Sequence, residues 1–302
     1  LRQVFWIVKT MRFLIRMLKA ALAIVFLISL ANTVNAGPLI KSPCSGLNPD
    51  CYTDWELRNP AEDGYKVLLF SRIGADGSPH GNTPFATEQL IKLLNEQAIT
   101  VVTDESLLSN PGQLNTFIAV IFFNTQRDVL NSSEMRALRL YMQGGGGFVG
   151  IHNVFGTQFN WDWFRGLLGN TQLYDHAPFM KGTAVVSNGN DPSTRVLPSR
   201  FELEDEWYNV FPNPLDTGNV RLLLEVDDST RTSTRGFFGH PGIYEGPHPV
   251  SWCHYYDGGR AWLTTLGHSE EIFTNNNFLA HVLGGIESAM GRKPFCLSGA
   301  PE

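Results

Sequence analysis

Eight histidines are the residues of this chain whose chemistry works near neutral pH. An imidazole can there release a proton, accept one, or ligate a metal through its lone pair. His152 closes the apolar run Phe148–His152, and His268 follows another ending at Leu266. His254 lies inside Trp252-Cys253-His254-Tyr255, and His176 follows Tyr174-Asp175. Glu206, in Asp205-Glu206-Trp207-Tyr208, supplies the carboxylate such imidazoles need as a partner. His152, Glu206, His254 and His268 are therefore the catalytic candidates for acid–base chemistry. Two or three imidazoles with a carboxylate and an open position also suit catalytic zinc. Neither HxH nor HExxH spacing occurs, so metal ligands stay unassigned and zinc stays open. His240 and His248 neighbour prolines and His281 falls on the last helix, so these three read as structural.

The substrate-binding candidates are Asn124, Asn153, His176, Trp207, Tyr208 and Arg260. Asn124 and Asn153 follow apolar runs. Trp207 and Tyr208 stand beside two acidic residues, and a sugar needs that mixture: a flat ring for its C–H face and polar groups for its hydroxyls. Arg260 follows Asp257-Gly258-Gly259 and could hold a carboxylate or a sugar hydroxyl, or form an internal ion pair. Trp252, within an apolar strand, reads as core.

These side chains need a scaffold, and the pattern of apolar runs supplies one. Tyr65–Phe70, Ile99–Thr103, Phe117–Phe123 and Phe148–His152 read as strands. The run over 117–123 is continuously apolar, as expected for a strand covered on both faces. Helices are expected over Thr83–Gln97, with Phe85, Leu90, Leu93 and Leu94 on one face, and from Ser132 or Ser133 to about Met142, ended by Gly144–Gly147. This β-α-β-α-β order predicts an α/β fold with a doubly wound, mainly parallel sheet, whose ligands bind outside the carboxyl ends of the strands. The C-terminal half is β-rich: Thr183–Ser187, Val220–Val226, Pro249–Tyr256 and Ala261–Leu266 read as strands. A hairpin turn at Asp257-Gly258-Gly259 and a closing helix over Asn277–Met290 complete it.

The first 36 residues read as a signal peptide: Arg12, Arg16 and Lys19, then the apolar run Ala20–Ala31, then Val34-Asn35-Ala36. Residues 1–10 read as upstream read-through. Residues 37–63 form an N-terminal extension, 64–292 the main domain and 293–302 a tail. After cleavage no stable membrane span is expected, because the apolar run is short and belongs to the signal. The expected location is secreted or periplasmic. Cys44 and Cys51 could then close a small disulfide loop, with Cys296 a rival partner for either, and Cys253 is expected to be a free buried thiol. A formal net charge of −6 argues against nucleic acid as a partner. Oligomeric state is left open.

Several segments together resemble the ThuA-like, trehalose-utilisation family: IFFNTQRDVLN (121–131), GGGGFVGIHN (144–153), EDEWYNVF (204–211), HPVSWCHYYDGGRAWLTTLGH (248–268) and FLAHVLGGIESA (278–289). The resemblance spans about 66–291. It implies a flavodoxin-like fold related to class I glutamine amidotransferases, and a small-molecule sugar or glycoside, keto-sugars included, as partner. One departure is the turn after the first strand, Ser71–Thr83, which lacks the family's Gly-Phe-Arg-His-like sequence; His80 is its only imidazole. An amidotransferase places a nucleophilic cysteine on the turn after a strand, and here His152 occupies that turn. The expectation is therefore an exported protein that acts on a carbohydrate through histidines and Glu206. The rival expectation is a carbohydrate-binding module on the same fold with no catalysis.

Overall fold

Residues at alternate positions of one strand enter different cores, and this determines how the chain is layered. In the strand Ala119–Phe123, Ile121 and Phe123 join one buried cluster while Val120 and Phe122 join another. A strand apolar at every position is sandwiched between two layers. The computed structural model describes residues 42–54, 64–79, 83–239, 241–242 and 244–298. The expected signal peptide, most of the extension, His80 and His240 lie outside these. From Pro43 onward the chain forms one compact unit.

Twelve strands are present among the described residues: β1 (Ser45–Gly46), β2 (Tyr65–Phe70), β3 (Ile99–Val102), β4 (Ala119–Phe123), β5 (Gly147–Ile151), β6 (Gln172–His176), β7 (Met180–Val186), β8 (Arg200–Asp205), β9 (Tyr208–Phe211), β10 (Arg221–Asp227), β11 (His248–Tyr256) and β12 (Gly259–Thr264). The helices are α1 (Thr83–Asn95), the single turn α2 (Pro111–Leu114), α3 (Ser132–Gln143), α4 (Asp162–Leu167) and α5 (Asn276–Ala289). The main sheet runs β3-β2-β4-β5-β12-β11-β10-β7-β8, with β1 added to β11; β6 and β9 make a separate antiparallel pair. Strands β3, β2, β4, β5 and β12 are mutually parallel. From β12 through β11, β10 and β7 to β8 each pairing is antiparallel. The fold is mixed α/β around this large central sheet.

The α1 side chains Ala86, Leu90 and Leu94 and the α5 side chains Phe278, Val282 and Ile286 fill one core; Ala137, Leu138, Tyr141 and Met142 of α3 fill the other. Helix α3 is capped by Asn131, one residue before the Ser132 or Ser133 at which its start was expected. Asn131 accepts the N–H groups of Ser133 and Glu134, and Glu134 reaches back to the Asn131 N–H, a reciprocal capping box. The β11–β12 hairpin turns on Asp257 and Gly258, both at positive φ, the conformation favoured for a two-residue loop.

Cys253 is not a free thiol. The segment after α5 folds back so that Arg221 Nε donates to the Cys296 carbonyl at 3.0 Å and Asn188 Nδ2 to that of Leu297 at 2.7 Å. That brings Cys296 onto buried Cys253, and the two are disulfide-bonded, as are Cys44 and Cys51. No helix among the described residues is long and apolar enough to cross a membrane.

Candidate functional site

Strand β5 delivers His152 to the carboxyl end of the parallel strands, and the chain bends there. His152 has φ of +53°, a left-handed conformation that costs a residue with a Cβ roughly 1–2 kcal/mol. The bend turns its ring across the strand ends instead of along β5. Gly267, at φ +132°, makes room for it: a Cβ on Gly267 would lie 3.1 Å from that of His152. The His152 Nδ1 is 2.8 Å from the Thr265 carbonyl, which only accepts, so Nδ1 carries the hydrogen. In the neutral ring Nε2 then holds a lone pair, and the Tyr208 hydroxyl lies 3.0 Å from it. The same hydroxyl is 3.4 Å from Asn153 Oδ1.

Glu206 stands at the centre of the cluster. Its Oε2 is 2.9 Å from His268 Nδ1 and 3.8 Å from His152 Nε2; its Oε1 is 3.6 Å from His176 Nδ1. The imidazoles of His152 and His268 meet edge to face at 5.4 Å, and that of His152 lies 4.6 Å from the Tyr208 ring. His152 is wholly buried, whereas Glu206, His268 and His176 are partly open to solvent. Burial works against a charge on His268, but the hydrogen bond and charge of Glu206, with Asp205 behind, outweigh it and raise its pKa. Burial also lifts the Tyr208 phenol well above its ordinary value, and Glu206 and Asp205 add to the effect.

Asp205 holds the cluster in register. The alternation of β8 turns Phe201, Leu203 and Asp205 inward. The buried Asp205 carboxylate accepts the N–H groups of Glu206 at 2.7 Å, Gly267 at 2.8 Å and His268 at 3.1 Å. It thereby ties the turn bearing Glu206 to the turn bearing His268. Burial pushes its pKa up to about 7, against those three donors. His248, expected to be structural, buttresses the same region: its Nε2 donates to the Tyr208 carbonyl at 3.0 Å, and its Nδ1 lies 3.0 Å from Asp228.

The family ThuA, described as trehalose utilisation, matches residues 66–289. The chain belongs to the ThuA family. No curated protein sequence matches it significantly. Among solved structures it is similar to a putative ThuA-like protein from Bacteroides uniformis, with 22% identity and a TM-score of 0.61 over 74% of this chain and 90% of that one. It is also similar to a putative ThuA-like protein from Parabacteroides merdae, with 17% identity and a TM-score of 0.60 over 79% and 93%. At these identities the likeness concerns the fold.

Within this ThuA-family fold, the structure gathers His152, Glu206, His268, His176, Tyr208 and Asn153. It moves three candidates elsewhere. His254 lies wholly buried toward the amino end of the parallel strands, opposite Ala261, with Nε2 donating to the Leu167 carbonyl at 3.0 Å. It faces the core on the far side of β11 from Cys253 and does not join the cluster. Trp207 is core: it packs over Gly182, where a Cβ would lie 2.7 Å from its ring, and Nε1 donates to the Met180 carbonyl. Arg260 pairs in register with Gly147 at the start of β5, the opposite rim, and its guanidinium lies 4.2 Å over the Tyr52 ring. Asn124, at φ +51°, donates its N–H to the Ile151 carbonyl just before His152, while its side chain turns to Thr83. Asp205 was the positioning residue that sequence reasoning passed over. Its signal was the alternation in Arg200–Asp205, whose third inward position is an acid.

His152, Glu206 and His268 each offer one donor atom, all within 4.8 Å of one another. Chemically, then, the cluster can exchange protons or hold a cation.

Proposed function

We propose that this ThuA-family protein binds a small carbohydrate or glycoside over the carboxyl ends of β5 and β12 and acts on it by proton transfer. The observation that carries this reading is the convergence of His152, His176 and His268, from three separate stretches, on the one carboxylate of Glu206. In this reading His268, held toward its charged form, donates a proton, and Glu206 accepts one. His152 and Tyr208 orient the pair from beneath. The family's description in trehalose utilisation supports a sugar as ligand. So do two exposed rings at the mouth: Phe179 lies 5.5 Å from the His268 ring, and Phe237 lies 5.2 Å from the His176 ring. They take over the stacking role expected of Trp207. Export fits the Cys44–Cys51 and Cys253–Cys296 disulfides, which persist in oxidising compartments, and the segment Arg12–Ala36.

The test is a product screen over disaccharides, their glycosides and their 3-keto derivatives. Glu206→Gln and His268→Ala should each lower turnover by at least about a hundredfold, the usual size of an acid–base contribution, with circular dichroism unchanged. Wild-type rates in both variants would remove the assignment. Saturable sugar binding with no product from any of them would favour the non-catalytic module.

A further inference from the structure

We propose that His152, Glu206 and His268 together hold one divalent first-row transition ion, of which zinc is the chemical type. The proposal rests on the same rim as the proposed function, but its test needs no sugar. First, the His152 ring is fixed as a ligand. Its Nδ1–H is committed to the Thr265 carbonyl at 2.8 Å, which leaves the Nε2 lone pair facing Glu206. A metal-binding imidazole is oriented in just this way, through a backbone carbonyl on its other nitrogen.

Second, the donor spacing fits. Around a zinc ion with bonds of about 2.0–2.1 Å, tetrahedral geometry sets neighbouring donors about 3.3 Å apart. Glu206 Oε2 lies 3.8 Å from His152 Nε2 and 2.9 Å from His268 Nδ1. One of these separations is slightly long and one slightly short, and the third, between the two imidazole donors, is within 4.8 Å. The two ligands that must adjust, Glu206 and His268, are the partly exposed ones, while His152 is wholly buried and tied to the Thr265 carbonyl. Third, the backbones of both adjusting ligands hang on one buried carboxylate, Asp205. Fourth, two imidazoles and one carboxylate suit zinc and its neighbours, whereas magnesium and calcium prefer oxygen donors throughout.

The Tyr208 hydroxyl now occupies the His152 lone pair. An ion exchanges that hydrogen bond for a coordinate bond and leaves the hydroxyl beside the site. Such an ion would polarise a substrate oxygen and would replace the His268–Glu206 proton pair of the metal-free reading, since those two donor atoms cannot ligate it and exchange protons at once; His176 would stay outside the ligand set beside Glu206 Oε1.

The experiment is calorimetric titration of untagged, chelator-stripped protein with zinc chloride, followed by metal analysis after gel filtration. One zinc per chain is expected, with no heat from magnesium. Glu206→Gln and His268→Ala should each weaken binding by more than about a hundredfold, beyond the loss of an outer hydrogen-bonding partner. Glu202→Gln, at an exposed surface pair with Lys181, should change nothing. Absence of stoichiometric zinc, or undiminished binding in both site variants, would overturn the proposal. The two readings separate cleanly. Sugar turnover by stripped protein that takes up no zinc removes the ion and keeps the sugar. Zinc uptake lost in both variants, with no product from any sugar, keeps the ion and removes the sugar.

Discussion

The Tyr208 hydroxyl is the atom on which the two uses of His152 diverge. Without a metal it donates to the buried His152 Nε2 at 3.0 Å. Tyr208→Phe should therefore destabilise the metal-free protein by about 0.5–1.5 kcal/mol, the usual net contribution of one hydrogen bond. In zinc the sign reverses, because the competitor for the lone pair is gone: the variant should bind zinc at least as tightly as the parent. Urea denaturation with and without zinc reads both effects, and a variant that loses stability and zinc affinity together would mean that the hydroxyl supports the ion instead of competing with it. At this scale His152, His268, His176 and Glu206 were legible because strand ends and an acidic turn are visible in a sequence. His254 and Trp207 misled for a physical reason. Strand β11 is buried almost throughout, so apolar alternation cannot say which way an imidazole points. An aromatic beside acids looks the same whether it faces a sugar or Gly182.

At the scale of elements, the runs buried on both faces were easy to read. Strand β2 matches its expected bounds, and β3, β4, β5, α1 and α5 differ from theirs by only a few residues. Strands β6, β8 and β9 were not expected, because Gln172–His176 and Arg200–Asp205 are half polar and owe their strand form to pairing with distant partners. One of these, β6, carries a device that matters to the site. Buried Asp175 accepts from Asn209 Nδ2 at 2.9 Å and from the Phe238 N–H at 3.0 Å, while the Phe237 N–H donates to the His176 carbonyl. These bonds hold exposed Phe237 and Phe238 beside His176. Gly236 permits the approach, since a Cβ there would fall on the Asp175 carboxylate. Gly236→Ala should release this loop from β6. Binding of a sugar should weaken about tenfold, roughly 1.4 kcal/mol, while zinc binding stays near the parent's. Unchanged sugar affinity would show that Phe237 does not contribute to the ligand's seat.

Over the described part of the molecule, the response of stability to acid turns on three fully buried groups, beside the raised carboxyls of Asp191 and Glu225. His254 and His281 are fully buried, and burial pushes each down from 6.5 to about 4 despite a hydrogen bond to the carbonyl of Leu167 or Ser193. Folded, they stay neutral over pH 4–6.5, whereas the unfolded chain protonates both. Their contribution is complete above pH 6.5 and is lost as pH falls toward 4. Asp205 opposes them. Burial raises it from 3.8 to about 7, so the folded chain keeps a proton there that the unfolded chain has already released, and that contribution is lost as pH rises through 7. Between about pH 5 and 6 the unfolded chain thus carries two extra protons on the histidines and lacks one on Asp205. The net from these three groups is uptake of one proton on unfolding, so their joint contribution should make stability rise with pH by about 1.4 kcal/mol per pH unit over this window. Urea denaturation of chelator-stripped protein at intervals across it measures the slope directly. Asp205→Asn removes the opposing carboxyl, and a variant that still folds should show a slope approaching two protons. A slope that does not steepen in Asp205→Asn and stays flat in the parent would mean that His254 and His281 are not held neutral in the fold.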